Sequence, residues 1–237
     1  MSKKTICAAA AAASLVALSA CSSASTHSST GSGASSSGGT AASGGGASSS
    51  GGGIAAGAPI SFGETLPETG PAALYAPMAA GVSAYFQYVN AQGGVNGHQL
   101  KITSLDDQYQ PPVSVQLTRQ LVDQDHIFAE VASNGSAAVK ADLTVLTPAN
   151  IPLIGPATGA DFLYPNRPIK NVFSVWPAYH IDGQTLANYA VKTLHLNKIG
   201  VFYQNDDFGK SLLNGFESTG AKPAVSIPYT PTQSDFG

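Results

Sequence analysis

Four short stretches of the chain join small residues to a hydroxyl or an aromatic ring: Gly70-Pro71-Ala72-Ala73-Leu74-Tyr75, Ser133-Asn134-Gly135-Ser136, Gly155-Pro156-Ala157-Thr158-Gly159 and Asn205-Asp206-Asp207-Phe208-Gly209. Small residues let backbone N–H groups approach a ligand closely, and hydroxyls add further hydrogen bonds, so the chemistry on offer is non-covalent capture. The same residues are also ordinary turn formers, and composition alone does not separate the two roles. Covalent chemistry has less to work with. Ser136 as a nucleophile needs a general base, an orienting acid and an elbow such as G-x-S-x-G, and its neighbours supply none of these. Asp106-Asp107 and Asp206-Asp207 are carboxylate pairs that acid/base or metal chemistry could use, but each follows a strand pattern and precedes a helical one, where turn formation and helix capping are the simpler roles. His98, His126, His180 and His195 lack ligand spacing such as H-x-x-x-H and read as surface or structural residues. No cofactor or metal is expected. Asn134-Gly135-Ser136 also fits a glycosylation sequon.

The elements that must position these stretches follow from periodicity. Ala56 to Phe62 is a short apolar strand leading into the turn around Pro67 and Pro71. Met78, Val82, Tyr85, Phe86 and Val89 recur at helical spacing and predict one buried helix face, with Tyr88 also in the core. Gly93-Gly94 ends that helix near Gln92. Gln99 to Leu105 is the second strand, and Pro111-Pro112 opens a helix carrying Val113, Leu117 and Leu121, proline being acceptable in a first turn. Ile127 to Ala132 is a strand, Ser136 to Leu146 a helix, Ile151 to Gly155 a strand, and Val172 to Val175 a short extended piece. A second cycle begins near Tyr179: Leu186, Tyr189, Ala190, Val191 and Leu194 mark a helix, Lys198 to Tyr203 a strand, Gly209 to Phe216 a helix and Ala224 to Tyr229 a strand. Such alternation predicts parallel sheets with helices on both faces. Ligands bind beyond the carboxyl ends of the strands in these folds, which places function in the loops after Phe62, Val131, Ile154 and Tyr203.

The first residues have a different character. Lys3 and Lys4 precede an uncharged apolar stretch from Ile6 to Val16, the charge and length pattern of a secretory signal. The stretch is too short for a spanning helix, which takes ~20 residues. It ends in Leu18-Ser19-Ala20-Cys21, which resembles the lipobox of bacterial lipoproteins. The resemblance implies cleavage before Cys21 and lipidation of its thiol, so residues 1–20 are a signal peptide. Cys7 lies in the removed segment, which leaves Cys21 with no partner for an internal disulfide. Residues 21–53 are almost wholly Ser, Gly, Ala and Thr, with His27 the one titratable side chain after the cysteine. Such a segment cannot bury enough surface to offset its chain entropy and reads as a disordered tether spanning roughly 30 Å on average.

Charge narrows the partners. The formal net charge is −3, and loss of Lys3 and Lys4 takes it to −5. A mildly acidic chain gives no electrostatic support for nucleic acid or anionic lipid as a partner. No run after the signal is apolar enough to span a membrane.

From about Ile54 onward the chain resembles the type I periplasmic-binding-protein family, in particular the solute-binding proteins of branched-chain amino acid ABC transporters. The segments that carry the resemblance are Tyr88 to Gly97, Asp106-Asp107, Ser133 to Ser136, Ile151-Pro152-Leu153-Ile154-Gly155-Pro156 and Asp206 to Gly209, in family order. The resemblance implies two doubly wound α/β lobes joined by a hinge and closing on a small molecule, with residues 54–177 the first lobe and 178–237 part of the second. It implies that Asn134, Gly135 and Ser136 form one anion-holding loop and Ala157, Thr158 and Gly159 another, each offering N–H groups and, at the helix N-terminus, a favourable dipole. Tyr75 matches an aromatic that packs over the ligand. Phe208 matches a second-lobe aromatic that is tyrosine in many relatives. The family's acidic residue for the ligand ammonium would lie after Gly237, and Thr230 to Phe236 stands where relatives start another helix, so the resemblance implies the N-terminal part of a longer protein.

The expected activity is capture of an amino acid or amide, without catalysis. The protein would be held on the outer face of the cytoplasmic membrane, with ABC permease and ATPase subunits as partners. A sensory binding protein that presents its closed form to a membrane receptor fits the same residues equally well.

Overall fold

The fold described here is that of a computed structural model, for residues 57–236. The export signal, Cys21 and the Ser/Gly-rich tether lie outside the described residues. Strands β1 (Ile60–Leu66), β2 (Leu100–Asp106), β3 (Ala129–Val131), β4 (Leu153–Ile154) and β5 (Val172–Phe173) form one sheet in the order β2-β1-β3-β4-β5. Strands β6 (Gly200–Gln204) and β7 (Val225–Tyr229) form a second. All pairings are parallel. Helices α1 (Pro77–Ala91), α2 (Pro111–Asp123) and α3 (Ser136–Leu146) belong to the larger block, and α4 (Tyr179–Asn188) and α5 (Asp207–Ser218) to the smaller. Among the described residues no helix is long and apolar enough to cross a membrane.

Alternation along β1 puts helices on both faces of the larger sheet. On one face Phe62 meets Phe86 of α1 edge-on at 5.1 Å and Phe128 at 5.9 Å. On the other, the bare Cα of Gly63 leaves room for the Leu121 side chain of α2. Helix α1 starts on Pro77 and ends at Ala91 with Gln92 as its cap, ahead of Gly93 and Gly94, both at positive φ, as expected. Its register is set by Asn90, whose side chain accepts from the Leu100 amide at 2.7 Å and donates to the Leu100 carbonyl at 2.8 Å. An apolar core of Val139, Leu146, Leu153 and Leu163 fixes α3 against β4.

Three expectations are corrected. Strand β1 does not end at Phe62 but runs on to Leu66, paired with β2 as far as Asp106, and the polar Glu64 and Thr65 within it are fully buried. Helix α1 has no fully buried residue, and Tyr85 and Tyr88 are 64% and 63% exposed, stacked on each other at 6.2 Å on the outer surface. Helix α4 begins at Tyr179 and passes into a wider π turn over Tyr189–Thr193. It buries Gly183 and Ala187, whereas Leu186, Tyr189, Val191 and Leu194 are exposed. The small residues face inward because α4 and α5 touch backbone to backbone: a Cβ on Gly183 would overlap the Leu212 carbonyl, and one on Gly215 the His180 carbonyl.

Between the larger sheet and α2 and α3 the interior is polar. Thr65 of β1, Ser114 of α2, Glu130 of β3, Ser133 and Asp142 of α3 are all buried. Ser114 Oγ donates to Asp142 Oδ2 at 2.8 Å, Ser133 Oγ to Glu130 Oε1 at 2.5 Å, and Thr65 Oγ1 lies 3.5 Å from Glu130 Oε1 and 3.4 Å from Asp142 Oδ2. Asp107 closes one side of the cluster, fully buried. Glu130 Oε2, Asp142 Oδ1 and Asp107 Oδ2 have no hydrogen-bond partner, and among the described residues no ion pair reaches these three acids. Burial raises the pKa of Glu130 and Asp142 well above the carboxylate range, and the charge of Glu130 raises Asp142 further. Burial pushes Asp107 up to about 6. Taking unpaired carboxylates out of water strongly disfavours their charged forms.

The folded state therefore holds protons that the unfolded chain gives up near the ordinary carboxylate pKa. Stability is greatest below the unfolded values and is lost as pH rises through the folded ones. The melting temperature is expected to fall between pH 5 and pH 8. Asp142→Asn, which mimics the protonated acid, should flatten that fall and exceed wild type at pH 8. Calorimetric melting of both proteins across this range checks it, and a wild-type profile rising with pH would contradict the cluster's protonation.

Candidate ligand-binding site

The strand order reverses between β1 and β3, and the loops leaving the carboxyl ends of β1, β2, β3 and β4 converge there. Crevices at such switch points are where open α/β sheets bind ligands. The loop after β3 is stitched to both neighbours. The Asn134 amide donates to the Thr65 carbonyl at 3.1 Å, and the Ala157 amide to the Ser133 carbonyl at 2.8 Å. The Ser133 hydroxyl accepts from the Thr65 amide at 3.3 Å. Gly135 precedes α3 at φ 100 with no side-chain cap, so the first turn of α3 faces the crevice with its N–H groups lacking intrahelical partners. Ser136 is the first helical residue, and its hydroxyl lies 2.7 Å from the Thr158 hydroxyl.

A cavity of about 270 Å³ opens at this point between the larger and smaller blocks. Tyr75, Asn134, Gly135, Ser136, Ala157 and Phe208, six of the residues expected from sequence, line it together. Thr158 and Gly159 stand behind this wall. Thr158 is fully buried, with its Oγ1 shared between Ser136 and the Ala160 amide, and the Gly159 carbonyl accepts from the Tyr179 amide at 2.7 Å. Phe208 packs edge-on against Tyr179 at 5.1 Å. Cys21 lies outside the described residues.

Tyr109, Tyr179, Gln204 and Tyr229 also line the cavity and were not anticipated. Tyr109 follows β2, a strand end that the same switch-point rule covers, so its signal was present. Tyr229, the carboxyl end of β7, falls under the same rule, whereas Tyr179 gave no signal because it read as a helix start. Among the described residues the lining carries no charged side chain. Its polar character comes from the Ser136 hydroxyl, two amides and the phenols. Burial pushes the Tyr109 phenol up to about 12, so it stays neutral at physiological pH.

Asp106 and Asp107 build the neighbouring turn instead of capping α2, whose N-cap is Gln110. Asp106 Oδ1 accepts from the amides of Glu68, Thr69 and Gln108, tying the β1 loop to the β2 loop. Asp107 Oδ1 accepts from the Tyr109 amide at 2.8 Å. Asp206 does cap α5, accepting from the amides of Phe208 and Gly209, and Asp207 pairs with Lys140 of α3 at 2.8 Å. His98 Nδ1 lies 2.7 Å from the Ala58 carbonyl.

Geometry and sequence relatives agree on the class. Residues 59–237 match the model of the periplasmic binding protein family, and the chain belongs to that family. Its fold is the type I periplasmic-binding-protein fold. The chain is 27% identical over 189 residues to Leu/Ile/Val-binding protein homolog 3 of Brucella melitensis, covering 77% of this chain and 50% of that one. It is 26% identical over 184 residues to an amino acid binding protein of Pseudomonas aeruginosa, covering 76% and 49%. The crystal structure of a substrate-binding periplasmic protein from Ralstonia solanacearum superposes with a TM-score of 0.68 at 29% identity, covering 75% and 51%. The chain spans about half the length of these relatives.

Gly135 has to be glycine on two counts. Its φ of 100 suits no L side chain, and a Cβ there would meet the Tyr109 ring at 2.8 Å. Gly135→Ala is expected to cost about 1–3 kcal/mol. Combining it with Tyr109→Asn should cost less than the two single changes summed, because the smaller side chain removes one of the clashes. Urea midpoints of the three variants test this, and strict additivity would mean the ring does not rest on Gly135.

Proposed function

We propose that this chain is the solute-capturing part of an extracytoplasmic lipoprotein that serves an ABC importer. The observation that carries the reading is the 270 Å³ cavity between two α/β blocks, walled on one side by the open N-terminus of α3 and the Ser136 hydroxyl and on the other by Phe208. The α3 terminus suits a carboxylate or other anionic end, because oriented N–H groups and the helix dipole favour negative charge. The rings of Tyr75, Tyr179 and Phe208 suit the apolar remainder of a small solute. Relatives named for binding leucine, isoleucine and valine or amino acids support an amino acid or a related amide.

In this reading the blocks are lobes, residues 54–177 and 178–237, and the ligand favours the closed form because only that form supplies contacts from both. Asn134, Gly135, Ser136 and Ala157 hold the anionic end, Thr158 and Gly159 brace them, and Tyr75 and Phe208 cover the rest. Cleavage before Cys21 and lipidation of its thiol would anchor the protein on the outer face of the cytoplasmic membrane, with residues 21–53 as tether. Permease and ATPase subunits are the partners. No covalent step is needed.

A thermal-shift panel of branched-chain and other amino acids, short amides, urea and aromatic acids tests the reading, since a ligand of the folded state raises the melting temperature by mass action. Ser136→Ala is expected to weaken the hit about 10- to 100-fold, the loss of one hydrogen bond to a charged group. The site assignment fails if no solute shifts the melting curve, or if the hit is unaffected by Ser136→Ala and by Thr158→Ala. Separately, metabolic labelling with a clickable fatty acid should mark the wild-type protein and leave Cys21→Ala unmarked; label retained by that variant would refute the anchor.

A further inference from the structure

We infer that Tyr109 sets the upper size limit of the ligand by dividing one longer cleft into two cavities, an inference that rests on the Ser136 cavity being the ligand site. A second cavity, of about 240 Å³, adjoins the first, and Tyr109, Pro71 and Pro231 line both. Two of these shared residues are prolines, whose rings are short and fixed. The Tyr109 ring is the one long side chain common to the two spaces.

The ring is held from several directions. Its Cε2 edge rests on Gly135, whose missing side chain leaves the place it occupies. Its hydroxyl accepts from Gln204 Nε2 of the smaller block at 3.1 Å, and its own amide donates to Asp107 Oδ1 at 2.8 Å. Gln204 is itself held, its Nε2 also donating to Asp206, the cap of α5. Gln108 and Tyr109 both adopt left-handed backbone, at φ 54 and 60, a conformation costly for residues other than glycine, asparagine or aspartate. A partition built on two successive unfavourable backbone conformations and braced from both blocks is a fixed wall.

Beyond the wall the surface is mostly apolar, with Pro111, Ala137 and Ala138 on it; the one carboxylate there, Asp206, is already engaged by Gln204 and by the Phe208 and Gly209 amides. Ala137 and Ala138 follow Ser136 on the first turn of α3, so the second cavity continues along the same helix end that faces the anion. A ligand held by its carboxylate at Ser136 and extending toward Tyr109 stops at the ring. With the ring gone, the same ligand could grow into the second space and bury further methylenes there.

The test uses the full-length protein, Tyr109→Phe and Tyr109→Asn, titrated calorimetrically with unbranched α-amino acids from 2-aminobutyrate to 2-aminodecanoate and with the matching carboxylates lacking the amino group. Asparagine tolerates left-handed backbone, so the variant keeps the turn while losing the ring. Wild type and Tyr109→Phe, both of which keep the ring, are expected to reject the series at the same chain length. Tyr109→Asn should accept longer members, with affinity rising about fourfold per additional methylene. Ser136→Ala added to Tyr109→Asn should weaken short and long members alike. The inference is overturned if Tyr109→Asn keeps the wild-type limit while short members still bind, or if long members bind it irrespective of Ser136. Failure of every solute to bind wild type would instead remove the site reading on which the inference stands.

Discussion

Glu130 and Asp142 are two carboxylic acids enclosed in the same polar interior, and without protons they would repel each other across a space that water does not reach. The hydroxyls that bond to them tie together the parts that matter. The hydroxyl that donates to Glu130 Oε1 belongs to Ser133, which also takes the amide of Thr65 and begins the loop leading to Ser136. The hydroxyl that donates to Asp142 Oδ2 belongs to Ser114 of α2, and Asp142 lies on the helix whose first turn faces the cavity. β1, β3, α2 and α3 are thus joined through one hydrogen-bonded group. An apolar core would give comparable burial but would not specify so narrowly where the loop after β3 must lie. The cost is a dependence on proton occupancy: the hydroxyls can donate to either form of each acid, but two bare anions would stand together out of water.

The cavity in front of that cluster works by different means. Among the described residues its lining has no formal charge, and its anion-favouring end is made from helix geometry and a hydroxyl pair. Dipoles fixed in this way cost little reorganisation when a ligand arrives, because the backbone already points the N–H groups. The opposite wall comes from the smaller block through Phe208 and Tyr229, so complete enclosure needs both blocks. Lys140 with Asp207, Gln204 with Tyr109, and the Asp161 amide with Ser211 Oγ are polar contacts that hold the blocks together around it.

Much of this was legible in the residues, and the exceptions share a cause. Helix α3 was read at its observed bounds, Ser136 to Leu146, because an apolar period follows directly on a glycine-containing turn. The alternation of strand and helix patterns was enough for the parallel architecture. What the pattern missed were positions where polarity and burial part company. Glu64 and Thr65 are polar and buried, so β1 was cut short, while Tyr85 and Tyr88 are aromatic and exposed, so they do not join the half-buried Met78, Val82, Phe86 and Val89 on the inner face of α1. Helix α4 inverted the usual rule through glycine, burying its smallest residue and exposing its leucine. At the site, the residues that carry a loop signature were found; the position of Tyr109 after β2 was also readable, but its contacts with a bare Gly135 and with Gln204 were not, because only the fold brings those distant residues to it.

The backbone contact between α4 and α5 bears on how fast the smaller block could move. Where Gly183 meets Leu212 and Gly215 meets His180, no layer of side chains separates the helices. Rotamer changes therefore offer no route for one helix to slide on the other, and the pair is constrained to travel as a single stiff piece. Any rearrangement around the cavity must be absorbed in the connecting segments. Its rate would follow backbone torsions there, in the microsecond to millisecond range typical of hinge motions, instead of waiting on internal repacking.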